Sequence, residues 1–240
     1  YTTLLAYGFI QRGYEVRVVC GVSTATEGDM GYFAAQYGVK PHIIPELGGV
    51  FTPFDDLRAL RAIRNYIREY QPDVVHTHTS KAGFIGRVAA YYEGVPVIVH
   101  TYHNHAFAGI YNPVTTWVFI QVERIVARMT DVLLTLSETL RRELVEQYHI
   151  TRRGHITVLP LGLDLNAFAQ ISRKQGFFRA EWNIPDSAPL IGIIGRLVPV
   201  KNHKLFLQAA LRIARDLPDA KFVIIGDGDE REALETLADD

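Results

Sequence analysis

The sequence predicts an α/β protein with parallel sheets, and three observations carry that prediction. Helical and strand-like patterns alternate almost throughout the chain. The connections between them are short. Runs such as Leu190-Ile-Gly-Ile-Ile194 are short and continuously apolar, the signature of a buried strand. Regular β-then-α alternation with short turns implies a parallel sheet covered by helices on both faces.

Taken in order, residues 1–11 read as a helix closed by Arg12-Gly13. Residues 15–20 and 39–44 read as strands. A helix over 56–70 leads into a strand end at 73–78, and a helix over 81–92 leads into a strand at 95–101. A long helix follows at 112–129, then a strand at 131–136. Ser137 is a good N-cap for the next helix, and a strand at 156–161 closes the series. Between 162 and 175 the pattern loosens into a polar stretch. A second series then runs as a strand from Leu190, a helix over 201–216, a strand over 221–225, the turn Gly226-Asp227-Gly228 and a final helix. The prediction is one domain over residues 1–165 and the start of another over 166–240. Two parallel strands cannot bury both faces of a sheet, so the second domain is expected to continue past Asp240. The chain starts at Tyr1 rather than a methionine and ends in a helical pattern with no C-terminal stop signal, so both ends are expected to be cuts in a longer protein.

Composition narrows the function. At 240 residues and 48% hydrophobic, the chain can bury a core. A net charge of -1 argues against wholesale nucleic-acid binding by counterion release. The single cysteine, Cys20, sits in an apolar run and reads as a buried small hydrophobe; no disulfide is possible within one chain. No apolar run approaches the roughly 20 residues of a spanning helix, and no segment reads as a signal peptide. A cytoplasmic protein is expected. In residues 57–68, Leu60, Ile63 and Ile67 share one helical face and Arg58, Arg61, Arg64 and Arg68 another. A basic face of this kind is either solvated surface or a contact with an anionic leaflet.

Several constellations could carry chemistry. Gly195 and Arg196 end the Leu190 strand, and Lys201 follows a turn through Pro199 at the start of a helix. Cations and free helix-start N–H groups at the end of a strand form an anion site, most often for phosphate; the alternative is two ordinary solvated cations. His76 and His78 leave one strand end on the same face, and His103 and His105 repeat that spacing after the next strand. Paired imidazoles suit zinc, although neither motif has a nearby carboxylate; the alternatives are a sugar or phosphate site and simple packing. Thr79-Ser80-Lys81-Ala82-Gly83 turns directly into a helix, either as a simple cap or as a place where small residues let a ligand approach. Gly226-Asp227-Gly228 reads as a tight turn. Glu138 and Glu146 read as a solvated helix face.

As an ordered set these residues resemble glycosyltransferase family 4, of the two-domain GT-B fold with Rossmann-like halves. The matching pieces are Val75-His-Thr-His-Thr-Ser-Lys-Ala-Gly83, Val99-His-Thr-Tyr-His-Asn-His-Ala-Phe107, Leu136-Ser137, Leu159-Pro-Leu-Gly-Leu-Asp164 and Gly195-Arg-Leu-Val-Pro-Val-Lys-Asn-His203. The resemblance implies retaining transfer of a sugar from a nucleotide-diphosphate donor, with no cofactor and no metal. It implies Gly195, Arg196 and Lys201 at the donor diphosphate and His103 as the active-site histidine. His78, Ser80, Lys81 and Gly83 would line the first domain's side of the cleft, with Asn104 and His105 toward the acceptor. Two family features are not in this sequence: a glycine-rich loop before the first helix, and a glutamate pair with seven residues between in the second domain. The Glu138–Glu146 pair is in the wrong domain to replace it, and the fragment alone is expected to be inactive. Lys201-Asn202 departs from the more usual Lys-Gly. The nearest flavour of the match is with enzymes that build bacterial surface polysaccharides on lipid-linked acceptors, which implies a saccharide or lipid-linked partner and peripheral contact with the inner face of the plasma membrane. Competing expectations are a nucleotide-sugar 2-epimerase, a metal-dependent hydrolase using the histidines, and an inactive sugar-nucleotide binding module.

Overall fold

The computed structural model describes residues 1–22, 30–48, 51–103, 112–163, 165–169 and 176–239. The chain divides into two compact units, Tyr1–Leu163 and Asp164–Asp240. The first unit runs α1 (Thr2–Ile10), β1 (Val19–Cys20), α2 (Gly31–Gln36), β2 (His42–Ile43), α3 (Pro53–Tyr70), β3 (Val74–His78), α4 (Ser80–Tyr92), β4 (Val97–Tyr102), α5 (Pro113–Ala127), β5 (Val132–Thr135), α6 (Glu138–Arg142) and β6 (Ile156–Val158). The second runs α7 (Asn166–Ala169), α8 (Phe177–Glu181), β7 (Leu190–Ile194), α9 (His203–Asp216), β8 (Lys221–Ile225) and α10 (Arg231–Asp239).

Local chemistry sets the helix starts. Pro113 opens α5, where its missing N–H is no loss, and the Asn112 side chain accepts from Thr115 N at 2.9 Å. Ser137 caps α6 as the sequence predicts, accepting from Leu140 N at 3.2 Å. Asp55 and Asp56 sit in the first turn of α3, the right end for negative charge. Ala59, Ile63 and Ile67 form its buried face at a spacing of four.

The strands β3-β4-β5-β6 make one parallel sheet in sequence order. Its register lines up Thr77, His100, Leu133 and Ile156 across one face. That face is the buried one: it takes Ile44, Leu47 and the inner sides of α3 and α4 near Ile98, and Leu140 and Leu144 near Leu133 and Ile156. On the opposite face exposure varies along the strands: Val74 and Val132, at the strand starts, are 52% and 38% exposed, whereas Thr101 toward the other end is buried. The strands expected at 15–20 and 39–44 are shorter than their apolar patterns. They pair only with each other, Val19 with His42 and Cys20 with Ile43, so the ladder stops where the partner stops. Pro41, which has no N–H to donate, stands just before β2. Cys20 is half-buried there. The polar stretch after residue 162 contains the single-turn helix α7.

A buried ionic group ties α4, α5 and β4 together. Arg87 is fully buried. Its guanidinium grips the Glu123 carboxylate at 2.7 and 3.0 Å, and its Nε donates to Gly83 O at 2.8 Å. The Tyr102 hydroxyl adds a bond to Glu123 at 2.6 Å. Burial, with the carboxylate second, holds that phenol well above its ordinary pKa, so it stays a donor. Removing one partner of such a set strands the other charge. Glu123→Ala is therefore expected to cost about 3–5 kcal/mol of folding stability, read as a lower urea midpoint.

Candidate active site

The register of β3 against β4 builds the first unit's candidate site. His78 stands opposite Thr101 and His76 opposite Val99. Because side chains alternate, His76, His78 and Thr101 share one face while Thr77 and His100 take the other. On the first face, His76 Nε2 lies 2.7 Å from Thr101 Oγ1, and His78 Nδ1 lies 2.9 Å from His103 Nε2. The rings of His76 and His78 are 4.3 Å apart, and the Tyr1 ring meets His78 and His103 edge-on at 5.9 and 5.3 Å. On the buried face, His100 Nδ1 lies 2.9 Å from Thr77 Oγ1.

All four imidazoles are pushed toward the neutral form. Burial is the main cause each time: it lowers His76 to about 4 and His78 to about 3, with neighbouring imidazoles adding to it. It also holds His100 well below its ordinary value and lowers His103 in the same direction. At neutral pH these rings are dipolar hydrogen-bonding groups, able to orient hydroxyls of a sugar but not to supply positive charge. Among the described residues no group of three or more His, Cys, Asp or Glu is placed to hold a metal ion.

The other residues expected in the cleft divide. Ser80 is exposed at the start of α4, beside the half-buried His78. Thr79 between them has φ 63° and ψ 173°, a glycine-type conformation for a β-branched residue, and its side chain does not cap the helix. Lys81 and Gly83 do not line an open surface. Lys81 is buried, with Nζ 2.9 Å from Asp56 Oδ1 and 3.0 Å from Gly48 O. A Cβ on Gly83 would stand 2.5 Å from the His100 ring. Both residues fasten α4 to its neighbours, and glycine is required at 83 because the helix lies so close to β4. Asn104 and His105 lie outside the described residues. Thr101, which the sequence left without a role, is the inner partner of the cluster, while His100 and Thr77 pair with each other on the buried face. The period-2 pattern around the buried Ile98 was the signal for His100.

The second unit's candidate site is the edge after β7. Gly195 N donates to Ile225 O at 3.0 Å, Leu197 N to Asp227 O at 2.9 Å, and Glu230 N to Leu197 O at 3.0 Å. These bonds zip the turn after β7 to the turn after β8. A Cβ on Gly226 would lie 1.9 Å from Gly195 O, so the glycine turn is a close backbone approach. Arg196 and Lys201 are both exposed here, and among the described residues neither pairs with a carboxylate. The stem of Lys201 passes 3.9 Å from the Cβ position of Gly195, which keeps it over the strand end. Lys201 does not open the helix as expected. It ends the 3-10 turn Pro199–Lys201, Asn202 takes φ 54°, and α9 starts at His203. The left-handed residue interrupts the helical path, and α9 is left without a side-chain cap. His203 is fully buried and, among the described residues, has no partner on either ring nitrogen.

The basic stripe of α3 is less free than its sequence implies. Arg64 and Arg68 both donate to Glu93, and Arg58 faces Asp55 at 3.4 Å. Glu138 pairs with Arg141 on the exposed side of α6. Among the described residues no helix is long and apolar enough to cross a membrane.

A sequence model of Glycosyltransferase Family 4 matches residues 1–167. The chain belongs to glycosyltransferase family 4. A second model, Glycosyl transferases group 1, matches residues 174–240 of this family 4 chain. The chain is 31% identical over 193 residues to UDP-Gal:alpha-D-GlcNAc-diphosphoundecaprenol alpha-1,3-galactosyltransferase of Escherichia coli, a match covering 80% of the chain and 50% of that protein. It is 30% identical over 211 residues to GDP-mannose-dependent alpha-mannosyltransferase of Mycobacterium tuberculosis, covering 83% and 51%. The chain thus spans about half the length of the curated relatives it matches. Among solved structures, a glycosyltransferase from Rickettsia africae aligns with a TM-score of 0.68 at 17% identity, over 98% of this chain and 58% of that one. UDP-GlcNAc 2-epimerase from Neisseria meningitidis aligns with a TM-score of 0.62 at 16% identity, over 99% and 66%. At such identities the likeness concerns the fold, which is α/β with parallel sheets of the GT-B type.

The histidine shifts give a sign. In the unfolded chain His76 and His78 titrate near the ordinary value, and in the folded chain they titrate at about 4 and about 3. Between those limits the unfolded state holds more protons, so stability is full above the ordinary value of 6.5 and falls as pH drops toward about 4. Thermal unfolding measured across that window is expected to show the drop, and His76→Phe is expected to flatten it.

Proposed function

We propose that the protein containing this chain is a retaining glycosyltransferase. It moves a sugar from a nucleotide-diphosphate donor to a saccharide or lipid-linked acceptor in bacterial cell-surface glycan synthesis, working at the inner face of the plasma membrane. The observation that carries this reading is the pair Arg196 and Lys201, exposed and unpaired among the described residues at the carboxyl end of β7 in a family 4 chain. The Escherichia coli relative's name, with its diphosphoundecaprenol-linked acceptor, supports the lipid-linked half.

The chemistry follows from charge. As the bond between the sugar's anomeric carbon and the diphosphate oxygen breaks, its electron pair stays on that oxygen. Arg196 and Lys201 offset the growing charge, with the backbone at Gly195 leaving room for the phosphates. The acceptor hydroxyl bonds to the anomeric carbon on the face the diphosphate leaves, which retains configuration. Its proton passes to a diphosphate oxygen, so no protein nucleophile is needed. Neutral His103 holds a hydroxyl of the donor sugar. His78 and Ser80 stand beside it, with Asn104 and His105 assigned to the acceptor side. The step requires no metal in this reading.

In the full-length protein, Arg196→Ala is expected to lower kcat/KM by about 100-fold or more, measured as acceptor-dependent release of nucleoside diphosphate. Unchanged turnover would remove Arg196 from the donor site. A chelator is expected to leave the rate unchanged. The donor incubated without acceptor is expected to yield no epimer by chromatography; an epimer would make the protein an isomerase.

A further inference from the structure

The helix α5 is apolar on two faces. Phe119, Ile120 and Ala127 pack into the core, whereas Val114, Trp117, Val118 and Ile125 form an outer face at helical spacing. Val114 is 73% exposed and Trp117 62%. A helix apolar on both sides ordinarily has cover on both. Phe54 and Leu57 are exposed in the same way in the first turns of α3, Phe54 at 82%. The starts of the two helices are neighbours. Phe51, just before α3, meets Phe119 of α5 at 5.5 Å and Phe84 of α4 at 6.5 Å. Exposed apolar surface of this kind, rimmed by polar groups, marks a protein or a membrane contact.

Charge and direction decide between the two. The outer face of α3 continues from Phe54 and Leu57 into Arg58 and Arg61, and that of α5 continues into Arg128; all three arginines are exposed. Among the described residues neither Arg61 nor Arg128 pairs with a carboxylate. The acids of these helices are mostly taken: Asp55 by Arg58, Asp56 by Lys81 and Glu123 by Arg87. Glu69 stands at the far end of α3. Both helices therefore carry the same gradient, apolar first turns with arginine behind them. Arg61 lies about 10 Å along the axis from Phe54. An anionic leaflet has the matching order, acyl chains below and phosphates above. Both helices also point the same way. They end shortly before β3 and β5 begin, so their first turns lie toward the carboxyl end of the parallel sheet, the end that carries His78.

We infer that the first turns of α3 and α5 dock on an anionic lipid leaflet, with Phe54, Val114 and Trp117 among the lipids and Arg61 and Arg128 at the headgroup phosphates. The basic stripe of α3 is then one part of a two-helix surface whose anchor is apolar. Docking there brings the histidine edge of the sheet to the bilayer, where a lipid-linked acceptor resides. That purpose rests on the function proposed above, whereas the docking itself does not.

The test is co-sedimentation of the full-length protein with vesicles of phosphatidylglycerol and phosphatidylcholine in equal parts, and with vesicles of phosphatidylcholine alone. The parent protein is expected to bind the mixed vesicles, and to bind them less in high salt. Phe54→Ser combined with Trp117→Ser is expected to weaken that binding about 10-fold or more, with the melting temperature unchanged because both side chains are exposed. Arg61→Gln combined with Arg128→Gln is expected to weaken it about 10-fold and to lessen its salt dependence. A parent protein that binds neither vesicle overturns the inference. So does binding that both double variants keep, which puts the contact elsewhere, and so does a serine variant that changes only from dimer to monomer on gel filtration, which makes the cover a second copy. Patch-dependent vesicle binding in a protein without sugar transfer upholds the docking and removes the proposed reaction; sugar transfer without vesicle binding does the reverse.

Discussion

The parallel register of β3 on β4 is the constraint on which the first unit depends. It sets His78 beside Thr101 and Thr77 beside His100, and thereby sends the two polar sets to opposite faces. A slip of one residue would move every side chain of β3 to the wrong face. His76 and His78 would then be driven into the packing beneath the sheet, and Val75 and Thr77 would take their place on the other face. The neutral character of the histidines follows from the same pairing, because burial at the sheet is the main cause of their low pKa values.

The buried face protects this arrangement. Gly83 lets α4 lie against the His100 ring, and Arg87 on the next turn reaches Glu123 on α5 and, through it, Tyr102. Lys81 joins α4 to Asp56 on α3. The motif Thr79-Ser-Lys-Ala-Gly83 therefore serves two ends. Its first residues stand at the surface by His78, and its later residues lock the helix that follows. A polar helix start followed by small residues looks like a ligand loop in sequence, yet here its lysine and glycine are structural.

The second unit solves a different problem by similar means. Two short turns are bonded to each other through backbone groups, with Gly226 almost touching Gly195 O. Arg196 and Lys201 are exposed at the same edge. Asn202, in the left-handed region, separates Lys201 from α9, which sequence periodicity had joined.

The parallel α/β class, the positions of the longer helices, the Ser137 cap and the shared face of His76 and His78 were legible in the sequence alone. Each is local: periodicity, capping chemistry and alternation act over a few neighbouring residues. The resemblance to family 4 was legible too, because it lies in ordered short motifs. Other features depend on distant residues, and only the tertiary structure decided them. The shortness of β1 and β2 depends on how much ladder each finds in the other. The burial of Lys81 and Gly83 depends on Asp56 and His100, and the pairing of the α3 arginines depends on Glu93. The bond from His78 to His103 joins two strand ends that only sheet pairing brings together. No local pattern encodes such contacts, because their energy arises only once separate segments have packed.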